Sequence, residues 1–186
     1  MNVDAKNILV MTGSPRKGGN SDILADAFIK GASAAGHEVS VFRAAADVVN
    51  GCRACDACWS KGKPCVFPDG FEKLFPLLEK ADVLVLCTPI YWFGFSAQIK
   101  SAIDKFYSYG SSKRKADLKI KETVLLLCAE DTDPNVFNGA IETYKGICDY
   151  KEWKDRGIIS VMNVNAKGDI NGNEALAQAE QLGSSI

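Results

Sequence analysis

A single histidine, His37, stands in the 186 residues. It follows a helical pattern in AAGHEVSVF. No serine elbow or paired base accompanies it, so a histidine-based metal site and a hydrolytic triad have no support and His37 reads as structural. Charge of one sign is not in excess either. The 22 basic and 23 acidic side chains leave a formal charge of −1, so no global field recruits nucleic acid or an anionic membrane. Long hydrophobic runs are missing too: the longest uncharged stretch, between Asp82 and Lys100, spans about 17 residues and contains Pro89 and Gly94, short of the ~20 that a membrane helix needs. The first residues show neither a cationic leader nor a small-residue cleavage site, so a soluble cytoplasmic protein is expected. Internal repeats, low-complexity tracts and composition shifts are absent, and 47% hydrophobic residues suffice for one core. One domain over residues 1–186 is expected. The acids Asp131, Asp133, Asp169 and Glu174 lack cation-loop spacing.

What is present is alternation. Apolar runs at Ile8–Met11, Val83–Cys87, Val124–Cys128 and Ile158–Met162 are too short for free-standing helices and are bounded by turn residues, as strands buried on both faces are. Glu38–Phe42 alternates more and suits an edge strand. Helical patterns lie between them: Ser21–Ala35, with Leu24, Phe28 and Gly31 or Ala32 on one face, then Phe71–Lys80, Ala97–Tyr107, Asn138–Trp153 and Glu174–Leu182. Ser21 is placed to cap the first helix and Gly36 to end it, and Asn171 with Glu174 resembles a capping box. Pro76 should kink or split its segment. Strands alternating with helices imply an α/β fold with a parallel, doubly wound sheet.

The stretch MTGSPRKGGNSD, residues 11–22, joins the first strand to the first helix. Gly13, Gly18 and Gly19 permit unusual backbone angles, the amides of the turn and helix start are donors, and the Ser14 and Ser21 hydroxyls and Arg16 add more. A phosphate fits there. The spacing matches neither the Rossmann fingerprint nor the P-loop, and no lysine cradles a γ-phosphate, which disfavours ATP chemistry.

GSPRKGGNS, together with ADVLVLCTPIYWFGFSAQIKSAIDKFY at 81–107, resembles the flavodoxin-like NAD(P)H-dependent FMN reductase family. The resemblance runs from about Asn7 to Gly183 and departs at Lys105, where the family commonly has arginine. It implies a three-layer fold with a five-stranded parallel sheet in the order 2-1-3-4-5, FMN as cofactor and NAD(P)H as substrate. Ser14, Arg16, Gly18, Asn20 and Ser21 would bind the phosphate, and Pro89, Ile90, Tyr91, Trp92, Phe93 and Gly94 would line the flavin ring. Physics agrees, since in this strand order the first and third strands flank the switch point, where FMN binds. Ala129, Glu130, Asp131 and Thr132 follow the fourth strand and should form a third wall. No side-chain acid or base is required, because flavin carries the chemistry. The family usually pairs as homodimers or tetramers, so self-association is expected by analogy. Lys113, Arg114 and Lys115 are candidates for the 2′-phosphate of NADPH, though such a run is more often simply solvated.

Four of the seven cysteines, Cys52, Cys55, Cys58 and Cys65, fall within CRACDACWSKGKPC. Their C-x2-C-x2-C-x6-C spacing suits a [4Fe–4S] cubane better than structural zinc, which more often takes two separated pairs. Free or redox-active thiols remain the third reading. The segment, with its loop at 51–66, also resembles the cysteine motif of iron–sulfur flavoproteins, a branch of the same family in which the cluster passes single electrons to FMN. Cys87, Cys128 and Cys148 read as core. Three functions follow: an FMN-dependent NAD(P)H oxidoreductase first, an iron–sulfur electron carrier second, a non-enzymatic redox sensor third. The partner in each case is a small-molecule or protein electron donor or acceptor.

Overall fold

The computed structural model describes residues 4–110 and 117–186. Lys113, Arg114 and Lys115 lie outside the described residues. Five parallel strands form the sheet: β1 (Asn7–Thr12), β2 (Glu38–Arg43), β3 (Val83–Tyr91), β5 (Glu122–Cys128) and β6 (Lys154–Val161), in the order β2-β1-β3-β5-β6. A two-residue β4 (Gly94–Phe95) turns back antiparallel on the end of β3. Without it, the order is the expected 2-1-3-4-5.

The apolar runs become central strands because alternate side chains feed two cores. Leu9, Met11, Leu84 and Leu86 meet α3 (Phe71–Lys80), α4 (Ala97–Asp104) and α5 (Asn138–Lys151) on one face. Ile8, Val10, Val83 and Val85 meet α1 (Asn20–Ala34) and α6 (Ala175–Ser184) on the other. A four-residue α2 (Ala57–Ser60) lies in the cysteine segment. His37 is buried and its Nδ1 accepts the Lys6 N–H at 3.2 Å. Burial lowers its pKa, with the nearby Lys6 adding to the effect.

Several local expectations are corrected. Pro76 does not split α3, which runs unbroken from Phe71 to Lys80. The proline sits on the exposed side, where water can satisfy the carbonyl that its missing N–H leaves free. Ser21 lies inside α1, which starts at Asn20 behind Gly19 without a side-chain cap. The Asn171 capping box does not form; the Asn173 side chain instead accepts the Ala175 N–H at 2.9 Å. The helix expected over Ala97–Tyr107 changes at Lys105 into a 3-10 turn, Lys105–Tyr109. Strand β6 begins four residues before its apolar run, and an irregularity in its register against β5 breaks the sequence alternation there.

Helices α1 and α6 touch through backbone: a Cβ at Gly31 would meet the Glu180 carbonyl oxygen at 1.9 Å. Gly31→Ala is therefore expected to force the helices apart, destabilising the fold by about 1–3 kcal/mol. Thermal unfolding would read this as a fall of several degrees in Tm.

Candidate functional site

Beyond Thr12 the chain leaves the sheet and winds through Gly13–Gly19 before α1 begins. Gly18 sits at φ +65°. Its N–H donates to Asp22 Oδ2 at 2.8 Å, and the Ser14 hydroxyl accepts the Arg16 N–H at 3.1 Å. Asp22 is itself buried and lies 3.2 Å from the Arg43 guanidinium. So closed, the loop surrounds the first N–H groups of α1, which have no intrahelical partner, and the helix dipole makes that end favourable to an anion. Exposed Arg16 donates through Nη1 to the Asn165 carbonyl at 2.8 Å, and its remaining donors can serve a ligand.

Asn20 behaves differently from the sequence reading. Its amide donates to the Ala166 carbonyl at 2.9 Å and accepts the Gly168 N–H at 3.0 Å. The side chain is committed to the loop after β6, and only its backbone N–H is left for a phosphate. That loop was not anticipated. Asp169 shapes it by accepting the N–H groups of Asn165 and Ala166 at 3.0 and 2.7 Å.

On the far side of the crevice, β3 continues past its apolar run to Tyr91 and turns at Trp92 and Phe93, both in the left-handed region at φ 47° and 64°. Such angles cost roughly 1–2 kcal/mol per residue for non-glycines. The turn leaves Trp92 96% and Phe93 60% exposed. Ala129, Glu130 and Asp131 line the crevice as a third wall. The Ala129 N–H donates to the Val161 carbonyl and the Val164 N–H to the Ala129 carbonyl. The crevice between these walls encloses 670 Å³, within the ~300–1,000 Å³ of small-molecule sites. Cys128, Val136, Val164 and Asn165 also line it, whereas Gly18, Gly94 and Thr132 do not. The two glycines shape the backbone behind the surface. Cys128 is a neutral thiol there, since burial pushes its pKa up to about 12.

The four clustered cysteines border a second cavity, of 170 Å³. Cys52 and Cys55 are exposed, and Cys58 and Cys65 half-buried. Ala54 and Asp56, at φ 50° and 55°, bend the loop. It is fastened to the end of α4: the Tyr107 hydroxyl donates to Asp56 at 2.9 Å and the Tyr107 ring lies 4.5 Å from Trp59. Lys105 forms an ion pair with Asp69 at 2.6 Å, the two side chains 4% and 3% exposed. Desolvation would raise the Asp69 pKa, but hydrogen bonds from Lys105, the Phe71 N–H and the Asn50 N–H outweigh it and hold the carboxyl below its ordinary range. Among the described residues no three ligating side chains converge on a single ion, as zinc would require. Burial raises the Cys58 pKa. Cys87 and Cys148 are buried, as expected.

The family model described as NADPH-dependent FMN reductase matches residues 6–129. The chain belongs to this family. An iron–sulfur flavoprotein of Archaeoglobus fulgidus is 32% identical over 185 aligned residues, covering 94% of this chain and 76% of that one. YwqN of Bacillus subtilis, named for a proposed NAD(P)H-dependent FMN-containing oxidoreductase activity, is 24% identical over 94% of this chain and 95% of its own. With the iron–sulfur flavoprotein of Methanosarcina thermophila the similarity spans 51% of this chain and 49% of the relative. Among solved structures, the NAD(P)H:quinone oxidoreductase from Methanothermobacter marburgensis superposes with a TM-score of 0.71 at 18% identity, over 97% of this chain and 96% of that one. At that identity the likeness is one of fold.

The crevice suits FMN: unpaired helix N–H groups and Arg16 offer an anion site at one end, and a strained aromatic turn offers an apolar wall at the other. An iron–sulfur group at the second cavity would draw on Cys52, Cys55, Cys58 and Cys65, which border it without three of them converging on one point. Lys105 lines that cavity as well, where it is paired with Asp69. Replacing Lys105 by Met should destabilise the protein by about 3–5 kcal/mol, because Asp69 is left charged and buried. Adding Asp69→Asn should recover part of the loss in urea unfolding. The depressed Asp69 pKa contributes stability above the ordinary carboxylate value of about 4, lost as pH falls through the folded value.

Proposed function

We propose that residues 1–186 act as one FMN-binding domain that takes reducing equivalents from NAD(P)H and passes them to a small-molecule or protein acceptor. The observation that carries this reading is the placement of an anion-binding loop and an exposed aromatic turn on adjacent strands, β1 and β3, across one crevice. Ser14, Arg16, Ser21 and the first N–H groups of α1 would hold the phosphate. Pro89, Ile90, Tyr91, Trp92 and Phe93 would lie against the ring, with Ala129, Glu130 and Asp131 opposite. When bound, FMN would supply the hydride-accepting and electron-donating chemistry that these side chains lack. The protein's own work is to bind, orient and exclude water; no side chain has to move a proton. Family membership supports the enzymatic reading over a redox sensor. Anaerobic addition of NADH or NADPH to the purified protein should bleach the flavin absorbance within seconds. A protein that purifies with FMN yet is bleached by neither nucleotide would overturn the nicotinamide step.

The cysteine cavity favours a second reading, in which Cys52, Cys55, Cys58 and Cys65 hold a [4Fe–4S] cluster beside the flavin chemistry. Relatives named iron–sulfur flavoproteins support it. About four irons and four acid-labile sulfides per chain are expected, with Cys55→Ser losing most of both. Flavin without iron under anaerobic purification would leave the thiols as the remaining reading. Self-association belongs to the same proposal, supported by the exposed Trp92 and Phe93 at the crevice mouth.

Arg16→Ala should raise the FMN Kd about ten- to a hundredfold, as loss of charge-assisted bonds does, without lowering Tm. An unchanged Kd would remove Arg16 from the phosphate site.

A further inference from the structure

Residues 83 positions apart are joined beneath the crevice. The Ser96 hydroxyl donates to the Gly13 carbonyl at 2.7 Å. Ser96 Oγ lies 3.1 Å from the Thr88 hydroxyl, and Thr88 Oγ1 accepts the Ser96 N–H at 3.3 Å. The Gly13 N–H donates to the Cys87 carbonyl at 2.8 Å. Thr88 and Ser96 are both fully buried. Every proton has a place: Ser96 N–H to Thr88, Thr88 O–H to Ser96 or to the Pro89 carbonyl at 3.0 Å, Ser96 O–H to Gly13.

Two further facts show that this contact displaces ordinary local structure. Ser96 occupies the N-cap of α4 but makes no side-chain cap bond, so its hydroxyl forgoes the role that serine usually plays there. Gly13 is held so close that a Cβ would meet Ser96 Oγ at 2.6 Å, Thr88 Oγ1 at 2.7 Å and Ile99 Cβ at 2.9 Å. The glycine lets the phosphate loop start in direct contact with the strand that carries the aromatic turn.

We infer that Ser96 and Thr88 are positioning residues: their hydroxyl clasp sets the spacing between the phosphate subsite and the ring subsite, and thereby the preference for FMN over unphosphorylated flavin. This rests on the FMN reading of the crevice. A ligand that engages both subsites gains from their fixed spacing, because neither loop has to be ordered on binding. Riboflavin engages only the ring subsite and gains nothing from it. Loosening the clasp therefore penalises FMN and spares riboflavin.

The test compares Kd values of the flavin-free protein for FMN and for riboflavin, by quenching of flavin fluorescence, in the wild type, Ser96→Ala, Thr88→Val and Thr88→Ser. Ser96→Ala is expected to weaken FMN about tenfold, the effect of losing one buried hydrogen-bond partner, with riboflavin within about twofold. Thr88→Val should act likewise and carries the test if Ser96→Ala fails to fold; Thr88→Ser, which keeps the hydroxyl, should retain the wild-type ratio. Equal losses for both flavins, or an unchanged ratio, would overturn the clasp while leaving the crevice reading in place. A loss in Thr88→Ser as large as in Thr88→Val would overturn it too, by pointing to methyl packing. A wild type with no preference for FMN would overturn both.

Discussion

Strands β1 and β3 pair in parallel from Ile8 opposite Val83 to Thr12 opposite Cys87, and the crevice depends on that register. Both strands are buried on both faces, so their polar connections can emerge only at the sheet's ends. The connection from β1 leads toward β2 and that from β3 toward β5, in opposite directions across the sheet, which opens a gap at the carboxyl ends. Gly13 and Thr88 are brought into contact there because β1 ends beside β3. Slipping β1 by one residue would turn Leu9 and Met11 into the core now filled by Ile8 and Val10, so that side chains of the wrong shape met on both faces.

The electrostatics follow the same geometry. Partial positive charge at the start of α1, the Arg16 guanidinium and the Gly18 turn held by Asp22 lie on one side, and the aromatic turn lies on the other. A ligand with a phosphate tail and a flat ring would find each end matched by one of these sides. The cysteine loop is separately anchored by Tyr107 and by the Lys105–Asp69 pair, both at the end of α4. Helix α4 follows directly on Ser96 and so connects the two regions by one rigid element, and the 3-10 turn that continues it carries buried Lys105.

Much of the site was legible because its residues are contiguous. GSPRKGGNS and PIYWFG each read as a loop following an apolar run, and both face the crevice. The parts that escaped are those made by distant pairing. Asn165 and Ala166 reach Arg16 and Asn20 across more than a hundred positions, and their own stretch shows only ordinary turn residues. The family resemblance implies Asn20 as a phosphate ligand, yet its amide is drawn to the Ala166 carbonyl and the Gly168 N–H of that unforeseen loop. The two-residue β4 is too short for any periodicity. Ser96 stands at the N-cap of α4, yet its hydroxyl goes to the Gly13 carbonyl rather than to the helix.

The sequence by itself determined the layer architecture, since runs of four or five apolar residues bounded by turns can be satisfied only as strands covered on both faces, with helices between them. It also placed the anion loop and the aromatic turn at strand ends. Only the tertiary structure decided which hydroxyls and carbonyls meet beneath the crevice, that all four cysteines open on one cavity, and that Lys105 is buried against Asp69. Hydrogen bonds and ion pairs depend on atoms within about 3 Å of each other, and that proximity is fixed by strand register and helix crossing rather than by local pattern.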